Sequence, residues 1–338
     1  MSYYGSADGV FEGGGAKGIA LVGALAVAQE YVTQWESLAG TSAGAITAAL
    51  LAAGYQPAQI GDLLTGKGID GVIGPVKLSD LPRRRSLGGI PFVSPAVNLF
   101  AHLGMYSGDY FLEVMETLLA GGPRPIQRFG DVRARPEDVR DGHPEYRLQF
   151  VASDVTHRKA TIIPQGLRDL GLDPDEVRIG LGIRMSMAIP FYFEPVVLST
   201  TSPPTVIVDG GFLSNFPIWL FDSARKARWP TIGFLLDEQR KFAYRRLGVA
   251  QLARRIVDTS MGGLNDVLLD RMGAGRTVAM NVSGYRTTEF GMSEERVREL
   301  LKRGRDAATA FFARFDPAEY RNSLGQGLTA DALREARR

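Results

Sequence analysis

The chain has 338 residues, 45% of them hydrophobic and 22% charged, with a formal net charge of +2. This size and balance fit one large or two ordinary soluble domains with a substantial core, and the charge is too small to argue for nucleic acid as a partner. No cysteine occurs, which excludes disulfides, a thiol nucleophile and thiolate metal sites and fits a cytoplasmic protein.

The opening residues, MSYYGSADG, lack the basic and apolar parts of a signal peptide. The longest apolar run, Ile19 to Ala28, is about half the ~20 residues a membrane span needs, so any bilayer is expected to be met at its surface.

Gly9-Val10-Phe11 predicts a short buried strand leading into Glu12-Gly13-Gly14-Gly15-Ala16-Lys17-Gly18, with a helix from about Ile19 to Tyr31. The glycine loop admits two readings. Gly13, Gly15 and Gly18 match G-x-G-x-x-G, and Glu36 stands near the distance of a ribose-binding acid, which suits a dinucleotide. Alternatively, the bare amides of Gly14 and Gly15 face a developing negative charge as an oxyanion hole. A Walker A loop is excluded, since no Gly-Lys-Ser/Thr occurs here. Lys17 either adds positive potential near a substrate phosphate or is a solvated first-turn lysine.

The apolar run Ser37-Leu38-Ala39 then meets Gly40-Thr41-Ser42-Ala43-Gly44, followed by an alanine-rich helical segment. This is G-x-S-x-G in the strand–turn–helix context of a nucleophile elbow. The turn is so tight that Gly40 and Gly44 are needed beside the serine, where a Cβ would collide with neighbouring backbone. Ser42 is then exposed at the positive end of a helix, with the Ala43 amide free to stabilise an oxyanion. The alternative is a small-residue turn with an N-capping serine. A dinucleotide unit has no use for such an elbow after its next strand, so the oxyanion reading of the glycine loop is favoured.

Helical patterns continue through residues 43–53 and 57–64. From 66 to 105 glycine and proline are frequent and periodicity is weak. This irregular excursion carries Leu81, Leu87, Ile90, Phe92, Val93, Leu99 and Phe100, too many apolar groups for a disordered linker. A lid over the site is expected, with Arg83-Arg84-Arg85 either facing anionic headgroups or forming a solvated turn. Ser107 caps a helix from Gly108 to about Leu119. Tyr146–Ser153 and Lys159–Ile163 read as two strands of a hairpin. Asp173-Pro174 opens a helix running towards Met187, and the extended Phe191–Val197 segment either lines an acyl pocket or is core. Thr205–Val208 is a buried strand ending at Asp209-Gly210-Gly211. A helix at 218–227, a strand Thr231–Asp237, helical segments at about 245–269, a strand near Thr277–Val282 and a helix from Ser293 to about Arg314 complete the chain.

A serine hydroxyl needs a base. In the order Ser, acid, His, the histidine must follow the acid, yet none follows His157. His157 has only Asp154 of its own turn as an upstream acid, His102 lies in the excursion and His143 in a surface loop. The alternative is a Ser–Asp dyad in which Asp209 takes the Ser42 proton directly and then activates water.

Taken together, EGGGAKG at 12–18, GTSAG at 40–44 and DGG at 209–211 followed by NFP resemble the three motifs of patatin-like phospholipases. Arg184–Pro190 resembles that family's helix-to-strand passage, and the likeness covers roughly residues 8–237. The resemblance implies a three-layer α/β/α patatin-like fold with a mainly parallel sheet. It also implies a lipid acyl hydrolase with Ser42 as nucleophile, Asp209 as base and Gly13, Gly14 and Gly15 as the oxyanion loop, with no metal and no cofactor. The expected substrate is a phospholipid or lysophospholipid at a membrane surface. Glu12 and Lys17 depart from the Asp and Arg that many members carry. Residues 1–237 are expected to form the catalytic domain and 238–338 a largely helical extension packed on it, its role open. Relatives of this size include effectors of anti-phage defence switched on by cyclic oligonucleotides, which raises a small-molecule activator as an alternative. The alternative of another class is a non-catalytic nucleotide- or phosphate-binding module using the glycine loop.

Overall fold

The computed structural model describes residues 5–75, 80, 95–140, 142–222, 228–238, 259, 274–317 and 320. Leu81, Arg83, Arg84, Arg85, Leu87, Ile90, Phe92, Val93 and, apart from residue 259, the expected helices at 245–269 lie outside the described residues.

Five strands form the parallel centre of the sheet: β1 (Gly5–Phe11), β2 (Val32–Thr41), β4 (Leu148–Asp154), β9 (Thr231–Asp237) and β10 (Thr277–Asn281). They run in the order β10-β9-β1-β2-β4, every pairing parallel. The C-terminal halves of β1 and β2, all of β4 and all but the last residue of β9 are buried on both faces, while the edge strand β10 alternates between buried and at least partly exposed residues. Neighbouring residues alternate between two cores. Phe11, Leu38, Phe150 and Phe234 face the larger one, and Val10, Ala39, Val151 and Leu235 the smaller. The smaller core is closed by Phe216, Ile218, Trp219, Leu220 and Phe221, whose backbone from 218 to 221 forms turns where a helix was expected. Residues 223–227 of that expected helix lie outside the described residues.

The larger core is covered by α1 (Ile19–Ala28), α2 (Ala43–Ala52), α3 (Pro57–Leu64), α5 (Asp109–Gly121) and α7 (Ile179–Ser186). A further helix, α8 (Glu294–Phe312), starts at an N-capping Ser293 and lies across α1. The backbones touch there because two glycines face each other: a Cβ on Gly23 would stand 2.1 Å from Leu301 O, and one on Gly304 2.0 Å from Ala20 O. With β10 in the sheet and α8 on α1, sheet and core both continue past residue 237.

The remaining strands decide where the chemistry sits. β5 (Lys159–Ile163) is antiparallel to β4 and occupies one of its edges along residues 150–154. β2 pairs with residues 148–151, and β8 (Thr205–Asp209), antiparallel to β4, pairs with 152–154. A strand has only two edges, so β2 and β8 share the other one end to end. β2 ends with Thr41 opposite Val151, and β8 ends with Asp209 opposite Ala152. The residue after Thr41 therefore meets Asp209 head-on. β7 (Val196–Leu198) pairs antiparallel with β8 on the edge away from β4.

Two expectations need correction. The helix from Asp173 to Met187 is instead a short turn at Pro174–Glu176, an extended stretch, and then α7. Residues 177–179 are pulled straight by pairing with 127–129: Phe129 N–H donates to Val177 O and Ile179 N–H to Gln127 O. The excursion is not wholly irregular. It carries α4 (Pro95–His102), and β3 (Gly104–Tyr106) follows, pairing in parallel with β6 (Phe191–Phe193).

Candidate active site

Ser42 occupies a backbone conformation that side chains avoid, with φ 52° and ψ −117°. Its surroundings hold it there. Ser42 N–H donates to Ser186 Oγ at 3.0 Å, and Ser186 Oγ donates to Val151 O at 2.6 Å, so α7 ties the elbow to β4. A Cβ on Gly40 would lie 2.3 Å from Gly44 C, and one on Gly44 2.1 Å from Phe11 O. Replacing Ser186 with Ala removes the acceptor of the buried Ser42 N–H, at roughly 1–3 kcal/mol. Ser186→Ala is expected to lower the thermal midpoint, and to lower kcat more than it raises KM, in steady-state assays with denaturation curves.

The glycine loop is fixed from below. Asn215, six residues after Asp209, donates through Nδ2 to Glu12 Oε1 at 3.0 Å and to Gly13 O at 2.9 Å. Leu236 N–H donates to Glu12 Oε2 at 2.5 Å. Burial pushes the Glu12 carboxyl up to about 8, against the lowering effects of the Leu236 amide, Lys17 and Asn215. Gly13 N–H donates to Asn215 O at 3.1 Å. That corrects one expectation: the Gly13 amide is already used and is no oxyanion donor. Gly13 contributes space instead, since a Cβ there would stand 2.3 Å from Asn215 Oδ1 and 3.3 Å from Ser42 Cβ. With its carbonyl held by Asn215, the next amide in the trans peptide points the opposite way. The N–H groups of Gly14, Gly15 and Ala43 have no hydrogen-bond partner among the described residues.

Asp209 is fully buried at the end of β8. Its Oδ1 accepts from Gly211 N–H at 2.7 Å, as the turn after the strand dictates. Gly210 lets that turn pass under β4, where a Cβ would stand 2.0 Å from Val151 O. Oδ2 is buried without a partner in strict hydrogen-bond geometry. The Ser42 hydroxyl is the side-chain group that lowers the carboxyl's pKa, although no hydrogen bond joins it to Oδ2 in this structure. Burial dominates over Ser42 and Gly211 and raises Asp209 to about 7. His157 belongs elsewhere: its Nδ1 pairs with Asp154 Oδ2 at 2.7 Å within the β4–β5 turn. His143 stacks on Trp229 with ring centroids 5.0 Å apart.

Ser42 lies at one end of an apolar cleft of about 930 Å³, its open mouth included. One wall is a single face of α2, Ser42, Ala43, Ile46, Thr47 and Leu50, which runs roughly 12 Å at 1.5 Å per residue. α1, α3 and α5, the glycine loop at Gly15, Ala16 and Gly18, and Met187, Ile189, Phe193 and Phe290 supply the rest. Thr47 Oγ1 is satisfied by Ala43 O at 3.0 Å, so the cleft offers an incoming chain almost only hydrocarbon.

Residues 9–222 match the family model described as patatin-like phospholipase. The chain belongs to the patatin-like phospholipase family. It is similar to the uncharacterized protein YqhO of Bacillus subtilis, 39% identical over 229 residues, covering 68% of this chain and 70% of YqhO. It is also similar to the uncharacterized protein R571 of Acanthamoeba polyphaga mimivirus, 24% identical over 62% of this chain and 59% of R571. Among solved structures its fold resembles that of VipD from Legionella pneumophila, with a TM-score of 0.51 and 17% identity, over 93% of this chain and 68% of VipD. The fold is patatin-like, a mostly parallel sheet flanked by helices, and the family indicates a lipid acyl hydrolase.

Several residues of this patatin-like site fall where the sequence did not place them. Lys17 is largely buried and its Nζ pairs with Glu238 Oε1 at 2.7 Å, so it meets a substrate phosphate only by leaving that partner. Glu36 accepts from Ser6 Oγ and Gln34 Nε2, both at 2.8 Å, and lies five residues before the C-terminal end of β2. A ribose-binding acid belongs at that end, so the dinucleotide reading lacks its acid. Thr287 and Phe290 were not foreseen. Thr287 O accepts from Ala16 N–H at 2.8 Å and occupies the space a Cβ on Gly15 would need. Residues beyond the matched family region therefore brace the glycine loop and line the cleft. Their sequence, Tyr285-Arg286-Thr287-Thr288-Glu289-Phe290, has the texture of an ordinary loop and carries no signal.

Proposed function

We propose that this protein hydrolyses fatty-acyl esters of phospholipids or lysophospholipids through an acyl-enzyme on Ser42, with Asp209 as the only base. The head-on meeting of Ser42 and Asp209 at the end of an apolar cleft carries this reading. The acyl chain lies along the α2 face towards Leu50, which sets its carbonyl beside Ser42. Asp209 takes the proton as Ser42 Oγ attacks, and the new negative charge forms where the amides of Gly14, Gly15 and Ala43 converge. Collapse of the tetrahedral intermediate returns the proton to the leaving alcohol. Asp209 then deprotonates water, which releases the fatty acid by the same steps in reverse order. Burial suits Asp209 to the task, since a carboxylate titrating near neutral pH is a far stronger base than one in water.

The test is release of fatty acid from phosphatidylglycerol and of p-nitrophenol from a series of acyl esters, with Ser42→Ala as the inactive control. Leu50→Phe, which fills the cleft roughly 12 Å from the nucleophile, is expected to reduce kcat/KM for long acyl chains about tenfold or more relative to short ones. Equal loss at all lengths would remove the chain from that wall.

A further inference from the structure

Two exposed apolar side chains stand where the backbone favours glycine. Ile189-Pro190-Phe191-Tyr192 is a turn closed by Tyr192 N–H donating to Ile189 O at 3.1 Å, with Phe191 third at φ 67°. Proline second and a positive φ third is the type II pattern, whose third place belongs to glycine or asparagine. Leu103 follows the end of α4 at φ 61°, the position after a helix that glycine commonly fills. Gly104 pairs with Phe191, so the two positions are neighbours. Among the described residues ten other positive-φ positions are glycine, and besides Leu103 and Phe191 only the elbow's Ser42 and Arg158 of the β4–β5 turn depart from it. Phe191 is 52% exposed, Leu103 61%, and Phe100, three residues before Leu103 on α4, 85%. Such residues carry backbone strain and solvent-exposed apolar surface at once, a combination that persists where it serves a function.

Their position relative to the cleft identifies what they meet. Phe191 is the tip of a turn whose two legs, Ile189 and Phe193, line the cleft that ends at Ser42. Tyr192 beside it packs on Phe290, another lining residue, with ring centroids 5.6 Å apart. The turn thus joins the exposed apolar side chains to residues that line the cleft of Ser42. Among the described residues no helix is long and apolar enough to cross a membrane. We infer that Phe100, Leu103 and Phe191 form the surface that seats the protein on a phospholipid bilayer, so that an acyl chain passes over the Phe191 turn into the cleft. This rests on the lipolytic reading proposed above. A bilayer is the occupant because the substrate and the docking phase are then the same hydrocarbon, and the Phe191 turn joins the rim to the cleft that receives it.

Binding is measured separately from turnover. In a Ser42→Ala background, which leaves vesicles intact, cosedimentation with phosphatidylcholine–phosphatidylglycerol vesicles is compared with and without the pair Leu103→Gly and Phe191→Gly. The pair is expected to lower the partition coefficient about tenfold or more. The thermal midpoint should hold or rise as strain is relieved, and adding Phe100→Ser should lower partition further. With Ser42 restored, the glycine pair keeps wild-type turnover of monomeric p-nitrophenyl butyrate and loses turnover on vesicles. The pair Leu103→Asn and Phe191→Asn, polar and tolerant of the same backbone, should behave alike. Vesicle partition unchanged in both pairs overturns the docking surface. Absence of ester hydrolysis by the wild type, on any substrate, would instead sink the lipolytic reading while the partition result stands by itself.

Discussion

Asp209→Asn is expected to reduce ester turnover roughly 10²–10⁴-fold and, at the same time, to make the folded protein more stable above neutral pH. The two effects share one cause. Burial holds the Asp209 carboxyl at about 7 in the fold against an ordinary value of 3.8. Between those values the folded state binds a proton that the unfolded state has released, so stability falls as pH rises through that window. By pH 8 the ionised, buried carboxylate costs on the order of 4 kcal/mol, at about 1.4 kcal/mol per unit. Asparagine keeps the acceptor for Gly211 N–H, offers Ser42 Oγ a donor in place of a base, and does not titrate. Denaturation curves at pH 5 and pH 8 should show the variant's advantage over wild type growing from about 1.5 kcal/mol at the lower pH to about 4 kcal/mol at the higher one. In the wild type, kcat/KM should rise with pH to a plateau with a midpoint near 7. A variant destabilised at both pH values, or one that retains turnover, would remove Asp209 from the mechanism.

Gly44→Ala is expected to cost about 3 kcal/mol or more and to abolish turnover in whatever fraction folds. The added methyl group would stand 2.1 Å from Phe11 O, 2.6 Å from Phe11 C and 2.8 Å from Glu12 O. All three are backbone atoms of β1 and the start of the glycine loop, so no side chain can swing away. Relief requires the elbow and the oxyanion loop to separate, which destroys their common geometry. Gly40→Ala meets Gly44 C at 2.3 Å and Ala45 N at 2.7 Å and should behave alike. Gly61, half-buried on α3, has no atom within 4 Å of an added Cβ, and Gly61→Ala should be neutral or slightly stabilising through helix propensity. Thermal midpoints of the three variants separate steric necessity from a general intolerance of alanine.

The parts legible in the sequence were those fixed by local chemistry. Gly40, Ser42 and Gly44 announce an elbow because no other residue types fit so sharp a turn, and Asp209-Gly210-Gly211 announces an acid at a strand end. The hairpin strands, expected at 146–153 and 159–163 and found at 148–154 and 159–163, and the Ser293 cap were visible for the same reason. What escaped depended on distant pairing. That β8 runs antiparallel and shares an edge of β4 with β2 cannot be read from either strand, yet it brings Asp209 to Ser42. Pairing of 177–179 with 127–129 overrode a helical pattern. The use of the Gly13 amide by Asn215 O, and of Lys17 by Glu238, depends on partners about 200 residues away. Thr287 and Phe290 reach the site only because β10 joins the sheet and α8 folds back over α1.

The most direct measurement follows covalent capture of the nucleophile by an alkyl fluorophosphonate, with the modified residue mapped by peptide mass spectrometry across pH. The dyad predicts a single adduct, on Ser42, forming at a rate that rises through about pH 7 in the wild type and stays low and flat in Asp209→Asn. Labelling of another residue, or labelling of Ser42 at the same rate and pH dependence in Asp209→Asn, would contradict it.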